Sequence, residues 1–324
     1  MAVSVIVSNL NGAPFLPRLL ESIKAQEGVT MEIIVVDRES KDASHEILRR
    51  HSDVKVVSEP ALSGLVSGYH RGVREASHEH LFFCNEDMWF DPACLASLER
   101  HISLAERVGA ADPWQWSYDE KNWIHGGLRF RRARWAINGV HPFWALEFTV
   151  NLTEGEEVPW PCAGAFLMHR QVYEALGGWD TSFFLDNEEP DLFIRAWQHG
   201  WKCVTVPSAK VYHAVGMSNP QQSGKPGGVG KRRYVSNRAG KTIIPWKYFS
   251  ACGLWIGAAN FLVMFANNIL KLRLKNIGWD LSTARNLLGR VRSIREFRSR
   301  NGDLGRRMPG ERFFAIKKFQ LRDE

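Results

Sequence analysis

LFFCNEDMWFDP, residues Leu81–Pro92, decides how this chain of 324 residues folds. Leu81, Phe82 and Phe83 read as the end of a buried strand that runs into Asn85-Glu86-Asp87. A helix is expected behind it, with Asp91 at the N-cap and Pro92 at the first helical position. Two adjacent acids at the carboxyl end of a buried strand are costly to desolvate unless something positive meets them. In an open α/β sheet that edge is also where ligands bind. A divalent cation carrying a diphosphate would offset the cost, because hard cations take carboxylate oxygens. An acidic turn that only caps the next helix accounts for Asp91 and Pro92 but has no need of Glu86 or Asp87.

Upstream of this stretch, strand and helix patterns alternate. Val3–Ser8 is a β-rich run, Asn9–Gly12 a turn, and Pro14 opens a helix with Phe15, Leu16, Leu19, Leu20 and Ile23 on one face. Glu32–Asp37 is a second buried strand ending in a carboxylate. A helix from about Asp42, the strand Val54–Ser58, and a glycine-spaced segment from Gly64 into a third helix follow. Such spacing means βαβ units and a mostly parallel sheet. Right-handed crossovers then set Asn9, Asp37, Gly64 and Asp87 along one sheet edge.

Downstream the pattern loosens, and Trp114, Trp116, Trp123, Trp135, Trp144 and Trp160 appear. Most of these rings are expected in a core over the sheet, and an acceptor groove in which rings stack on sugars is the alternative; Trp160, Gly164 and Trp179 are the acceptor-binding candidates. Ala163–His169 is the next strand. Asp186, Glu188, Glu189 and Asp191 then crowd a helix start, more acid than a cap needs. Two short strands, Val204–Pro207 and Lys210–His213, close this part at a histidine. Residues 216–240, with Lys225, Lys231, Arg232 and Arg233, read as a mobile basic loop. Its GKPGGVGK run follows no strand and is no phosphate fingerprint.

The five cysteines, Cys84, Cys94, Cys162, Cys203 and Cys252, form no CxxC pair, which argues against a zinc ribbon or disulfide framework and suits a reducing cytosol. The N-terminus has no basic region ahead of its apolar run and reads as a strand. From Lys271 to Glu324, 15 Lys/Arg stand against 6 Asp/Glu, so the net charge of +7 belongs to the tail. Tyr248–Leu270 runs 23 residues without a charge. That length permits a membrane span, but Ser250, Asn260, Asn267 and Asn268 make a poor one. An interfacial helix, or one packed on the rest of the protein, is expected, and the basic residues behind it suit an anionic leaflet.

Taken together, SVIVSNLNG, IIVVDRESKD, Asn85-Glu86-Asp87, GAFLMHRQVYEALGGWD and FFLDNEEPDLFIRAWQHGW…VYH resemble a family 2 glycosyltransferase, and within it the bacterial rhamnosyltransferase-like members that build cell-surface polysaccharides. The resemblance covers about Val3–His213. It implies an α/β GT-A fold: a Rossmann-like, mostly parallel central sheet flanked by helices, over residues 1–215. A helical, basic extension occupies 241–324. The implied activity is transfer of a sugar from a nucleotide diphosphate (dTDP-rhamnose or a UDP-sugar) with inversion, to a glycan or lipid-linked acceptor.

By the same resemblance, Ser8, Asn9, Asn11 and Asp37 hold the nucleotide, with Gly64, Asn85 and Glu86 nearby. Asp87 and His213 bind a divalent cation, Mn2+ or Mg2+. Glu189 is the general base, with Glu188 beside it and Asp191 as a competitor, because Glu189 stands where Asp is usual. Asn85 stands at the first DXD position and is a weaker ligand. A cation stabilises the leaving diphosphate and a carboxylate takes the acceptor's proton, so the residue types fit the chemistry. The implied setting is cytoplasmic, at the inner face of the cell membrane, with possible peripheral contact and no nucleic-acid partner. Two other readings are a nucleotide-handling transferase of another type, for which NLNGAPFLPR lacks the phosphate loop, and a nucleic-acid-binding protein using the tail, which matches no named module.

Overall fold

The computed structural model describes residues 2–60, 63–134, 141, 143–161, 164–215 and 229–321. Trp135, Cys162, Lys225 and the 216–228 part of the expected loop lie outside the described residues. The first half contains β1 (Ala2–Asn9), α1 (Leu16–Lys24), β2 (Thr30–Asp37), α2 (Ser44–Arg49), β3 (Val54–Ser58), α3 (Leu65–Glu75), β4 (His80–Asn85), β5 (Met88–Phe90) and α4 (Cys94–Glu99). Then come β6 (Val108–Ser117), β7 (Trp123–His125), β8 (Leu128–Arg132), β9 (Trp144–Phe148), β10 (Glu157–Val158), β11 (Ala165–His169), α5 (Arg170–Ala175), α6 (Glu188–Gln198) and β12 (Lys202–His213). The C-terminal helices are α7 (Val229–Tyr248), α8 (Gly253–Leu270), α9 (Leu274–Arg300), α10 (Gly302–Arg307) and α11 (Glu311–Phe314).

The main sheet runs β10-β12-β6-β11-β4-β1-β2-β3, with β5 on β12 and β7 on β6. β3, β2, β1 and β4 are parallel, β11 runs against β4 and β6, and β12 is parallel to β6. Successive residues of β4 serve opposite layers. Phe82 packs with Val5, Val7 and Leu16, while Leu81 and Phe83 pack with Ile6 and Tyr69. All of β4's apolar side chains are fully buried, each worth about 1.5–3 kcal/mol. On α3, Gly68 and Gly72 face Ser8 and Ile6, where any side chain would collide, so the helix seats directly on β1.

Several expectations change. The helix after Pro92 begins at Cys94 with Ala93 as N-cap; Asp91 instead accepts from the Ala93 amide at 3.2 Å, because β5 holds the preceding residues extended on β12. Val204–Pro207 and Lys210–His213 are one strand, interrupted by a bulge between Val206 and Lys210. Residues 229–240, expected as loop, are the first turns of α7, whose Tyr234 and Ala239 find partners on neighbouring elements. The boundary expected at residue 241 therefore falls inside a helix. The tail also returns to the core: Phe313, Phe314 and Phe319 are buried around Phe130 and Trp160.

Candidate active site

Strand direction assembles the site. Ser8 pairs with Asn85 and Asn9 with Asp37, so the ends of β1, β2 and β4 lie level. β6 and β12 end beside each other at Ser117 and His213. β11 runs the other way, so its first residues, next to Gly164, reach the same edge.

Asn9 and Asp37 close one end of this edge. Asn9 Nδ2 donates to Asp37 Oδ1 at 2.7 Å, Ser40 Oγ donates to the same oxygen at 2.6 Å, and the Ser40 amide reaches Oδ2 at 3.0 Å. His45 Nε2 stands 3.2 Å from Asp37. Asn11, in the left-handed region at φ 57°, accepts from the Lys41 amide at 2.7 Å. These bonds fold the loops after β1 and β2 onto each other. Asn9 Oδ1 is buried without a hydrogen-bond donor, an acceptor left over by the network. Ser40 and His45 were not singled out from the sequence; their signal was their place within the DRESKDASH run after Asp37.

Glu86 turns inward towards Gly12 and the buried Arg38. Burial, and then the charge of Asp87, push its carboxyl up to about 7, against the pull of Arg38. Asp87 is 4% exposed and lies 3.2 Å from His213 Nε2. The other ring nitrogen, Nδ1, sits 3.0 Å from Gln115 Oε1, an arrangement that fixes the orientation of a ligating imidazole. The His213 Nε2 contact is to Asp87 Oδ1, which receives no hydrogen bond besides this close approach of the imidazole. Among the described residues no cluster of three or more His, Cys, Asp or Glu converges on one point. The pair of Asp87 and His213 thus offers two donors, a set that fits a cation completing its shell on a diphosphate. Asn85 is turned elsewhere: its Oδ1 accepts from Tyr69 Oη at 2.7 Å, and its backbone N–H donates to Gly164 O at 2.8 Å. Gly164 has φ 115°, and a side chain there would strike Met88 beside Asn85 and His213.

The second acidic cluster meets the first through Tyr69. This buried phenol lies within electrostatic reach of Glu86 and of Glu188 and Glu189, and burial raises its pKa well above the usual value. The acidic turn is unusual backbone, with Asp186 at φ 68° and Asn187 at φ 72° in succession. It is held from both sides. Leu65 N donates to Phe184 O at 3.0 Å, beside Gly64 at φ 90°. From α7, Arg233 forks onto Asp186 at 3.1 Å twice, and Ser236 Oγ takes the amides of Phe184 and Leu185 at 3.3 Å each.

The three acids of α6 are not equivalent. Glu188 is buried with Oε2 unpartnered, and burial and Glu189 drive its pKa well above the carboxylate range. Glu189 is half-buried, and burial, with Asp186 adding to it, brings it to about 7, suited to a general base. Asp191 is 1% exposed and fully engaged: Arg195 at 2.8 Å, Tyr248 Oη at 2.6 Å, and Lys247. Trp160 is not at this edge. It is 5% exposed and stacks on Phe313, because the aromatic tail covers it. Trp179 is buried beneath the site, stacked on Tyr69 with centroids 5.9 Å apart.

A mostly parallel sheet flanked by helices, with acidic residues at its carboxyl edge, is a GT-A fold. The sequence model of glycosyl transferase family 2 matches residues 4–177, and the chain belongs to that family. It is 25% identical over 258 residues to the uncharacterized glycosyltransferase YwdF of Bacillus subtilis, covering 77% of this chain and 88% of that one. It is 23% identical over 237 residues to the N-acetylglucosaminyl-diphospho-decaprenol L-rhamnosyltransferase of Mycobacterium tuberculosis, covering 64% and 75%. Among solved structures the fold is similar to GalNAc-T7 with UDP, GalNAc and Mn2+, at TM-score 0.59 and 18% identity over 78% of this chain and 48% of that one. This chain thus spans about half of that protein. It is also similar to the mannosyltransferase PcManGT of Pyrobaculum calidifontis with GDP-Man and Mn2+, at TM-score 0.52 and 17% identity, covering 88% and 86%.

Proposed function

We propose that this glycosyltransferase moves a sugar, with inversion, from a nucleotide diphosphate (dTDP-rhamnose or a UDP-sugar) to a hydroxyl of a glycan or lipid-linked acceptor at the inner face of the cell membrane. The observation that carries the reading is the Asp87–His213 pair at the carboxyl edge of the sheet, together with a half-buried Glu189 that shares the electrostatic surroundings of Tyr69 with Glu86. In this reading Ser8, Asn9, Asn11 and Asp37 hold the nucleotide, with Glu86 nearby. Asp87 and His213 would hold a divalent cation, Mn2+ or Mg2+, which neutralises charge on the departing diphosphate. Glu189 takes the acceptor hydroxyl's proton as the oxygen attacks the anomeric carbon. The bond from that carbon to the phosphate oxygen breaks on the opposite face, and its electron pair leaves with the diphosphate. Asn85, with Oδ1 committed to Tyr69, keeps its amide hydrogens for the donor. Asp191 positions α6 and takes no proton.

A panel of nucleotide sugars, each with and without Mn2+ or Mg2+, tests this by thermal shift and then by released nucleotide diphosphate. One donor should raise the melting temperature in a cation-dependent way and be consumed when an acceptor is present. A panel in which no donor shifts the protein and none is consumed would overturn the reading.

A further inference from the structure

Helix α8 is packed inside out. Its buried stripe is Gly253, Gly257, Asn260, Met264 and Asn268, small or polar at four of five positions. These residues face α7 closely; a side chain at Gly257 would collide with the Trp246 indole. Asn260 Nδ2 donates to Lys241 O at 3.2 Å. Asn268 Nδ2 reaches Asp280 Oδ2 and Tyr234 Oη, each at 2.7 Å, and Tyr234 Oη donates to Asp280 Oδ1 at 2.9 Å. Arg238 Nε lies 3.3 Å from the same carboxylate, which is 1% exposed. Pulling α8 away to cross a bilayer would take Asn268 from the buried Asp280 and Tyr234 and the Met264 carbonyl from Arg238, leaving that network short of bonds. The helix is therefore held along the protein with its orientation fixed by polar bonds.

The consequence is on the other face. Trp255 is 80% exposed, Leu262 60% and Leu270 82%, and no charged residue occurs within α8. Exposed leucines follow in sequence through Leu272 and down α9, where Leu274, Leu281 and Leu288 recur at seven-residue spacing. Surface of this kind, large and contiguous in sequence, marks an interaction site. Charge decides the partner. Lys271, Arg273 and Lys275 crowd the turn between the two helices, and Arg285 and Arg295 are exposed along the α9 leucine stripe.

We infer that the outer face of α8 and α9 seats on a bilayer carrying anionic headgroups, lying in the interface with Trp255 and the leucines among the acyl chains and the cations at the phosphates. Pairing with a second copy would set these cations against each other; an anionic leaflet accommodates both the leucines and the charges. The inference deepens the proposed lipid-linked acceptor by naming the surface that meets its membrane, and binding needs no turnover.

The test is flotation of the full-length protein with vesicles of phosphatidylcholine, with and without phosphatidylglycerol. The protein should float with the anionic vesicles, high salt should release it in part, and mild detergent should release it fully. Trp255→Glu with Leu262→Glu, both at exposed positions, should leave melting temperature and soluble-donor turnover unchanged and weaken vesicle binding about tenfold or more. Arg285→Glu with Arg295→Glu should abolish the preference for phosphatidylglycerol. A wild-type protein that ignores anionic vesicles at low salt would overturn the inference, as would Glu variants that bind normally. So would a solution dimer that those variants split. Vesicle binding without sugar transfer would refute the proposed function and support this surface; transfer without binding would refute the surface alone.

Discussion

Asp191→Asn separates a positioning carboxylate from a catalytic one. The substitution keeps the side chain's shape and removes its charge from between Arg195 and Lys247. Breaking a buried pair costs about 3–5 kcal/mol. Part of the loss is offset here: Arg195 Nη1 keeps the carbonyl oxygens of Leu176 and Gly178, and Lys247 keeps Asp180 at 2.9 Å. The lower end, about 3 kcal/mol, is therefore expected, which lowers the melting temperature by roughly 4 °C in a chain of this size. Calorimetry and urea unfolding measure that loss, and turnover is assayed well below the transition. Turnover of the folded variant should fall less than about tenfold, since Asp191 touches no reacting atom in this account. Glu189→Gln should show the reverse, with turnover down at least about 10²-fold and donor binding retained. A wild-type melting temperature with abolished turnover in Asp191→Asn, alongside an active Glu189→Gln, would refute the assignment.

Asp87→Ala should fold and lose at least about 10²-fold in turnover, and chelator should inactivate the wild type; full turnover in both cases removes the cation from the account. Turnover should rise with pH through about 7, as Glu189 gives up its proton, and a pH–rate profile without an acid limb there would contradict its role as base. The same shift acts on stability: Glu189 binds its proton more tightly folded than unfolded, so its contribution is present below about 4.5 and lost as pH rises through about 7. Glu189→Gln should accordingly flatten that part of the stability curve, measured by urea unfolding from pH 4 to 8. Trp160→Ala should cost about 3–5 kcal/mol of stability while leaving the KM for soluble substrates unchanged, as a core ring and not an acceptor platform; a KM effect without destabilisation would reverse that conclusion.

The parts of the fold readable in the sequence were those with local signals. Buried runs ending in polar residues located β1, β2 and β4, and parallel topology then placed Asn9, Asp37 and Asp87 together. Asp87 and His213, 126 positions apart, came together as the family pattern implies, because β5 pairs with the end of β12. What was hidden depended on distant partners. Trp160 looked available because its cover, Phe313, lies far along the chain. Asp191 competed with Glu189 in sequence; Lys247 and Tyr248, arriving from α7, join Arg195 in engaging Asp191. The first turns of α7 were lost among glycines and basic residues, since their hold on Asp186 and Phe184 leaves no periodic apolar trace. The orientation of α8 was hidden for a related reason: an apolar run read by itself points its hydrophobic face inward, and here glycines and asparagines take that side.

The central claim is a single displacement at the anomeric carbon with Glu189 as base, and the anomeric configuration of the product tests it most directly. Proton NMR of the glycoside formed from a donor of known configuration should show the opposite anomer, with none formed by Glu189→Gln. A product retaining the donor's configuration would contradict the account, because it requires attack on the same face from which the diphosphate leaves.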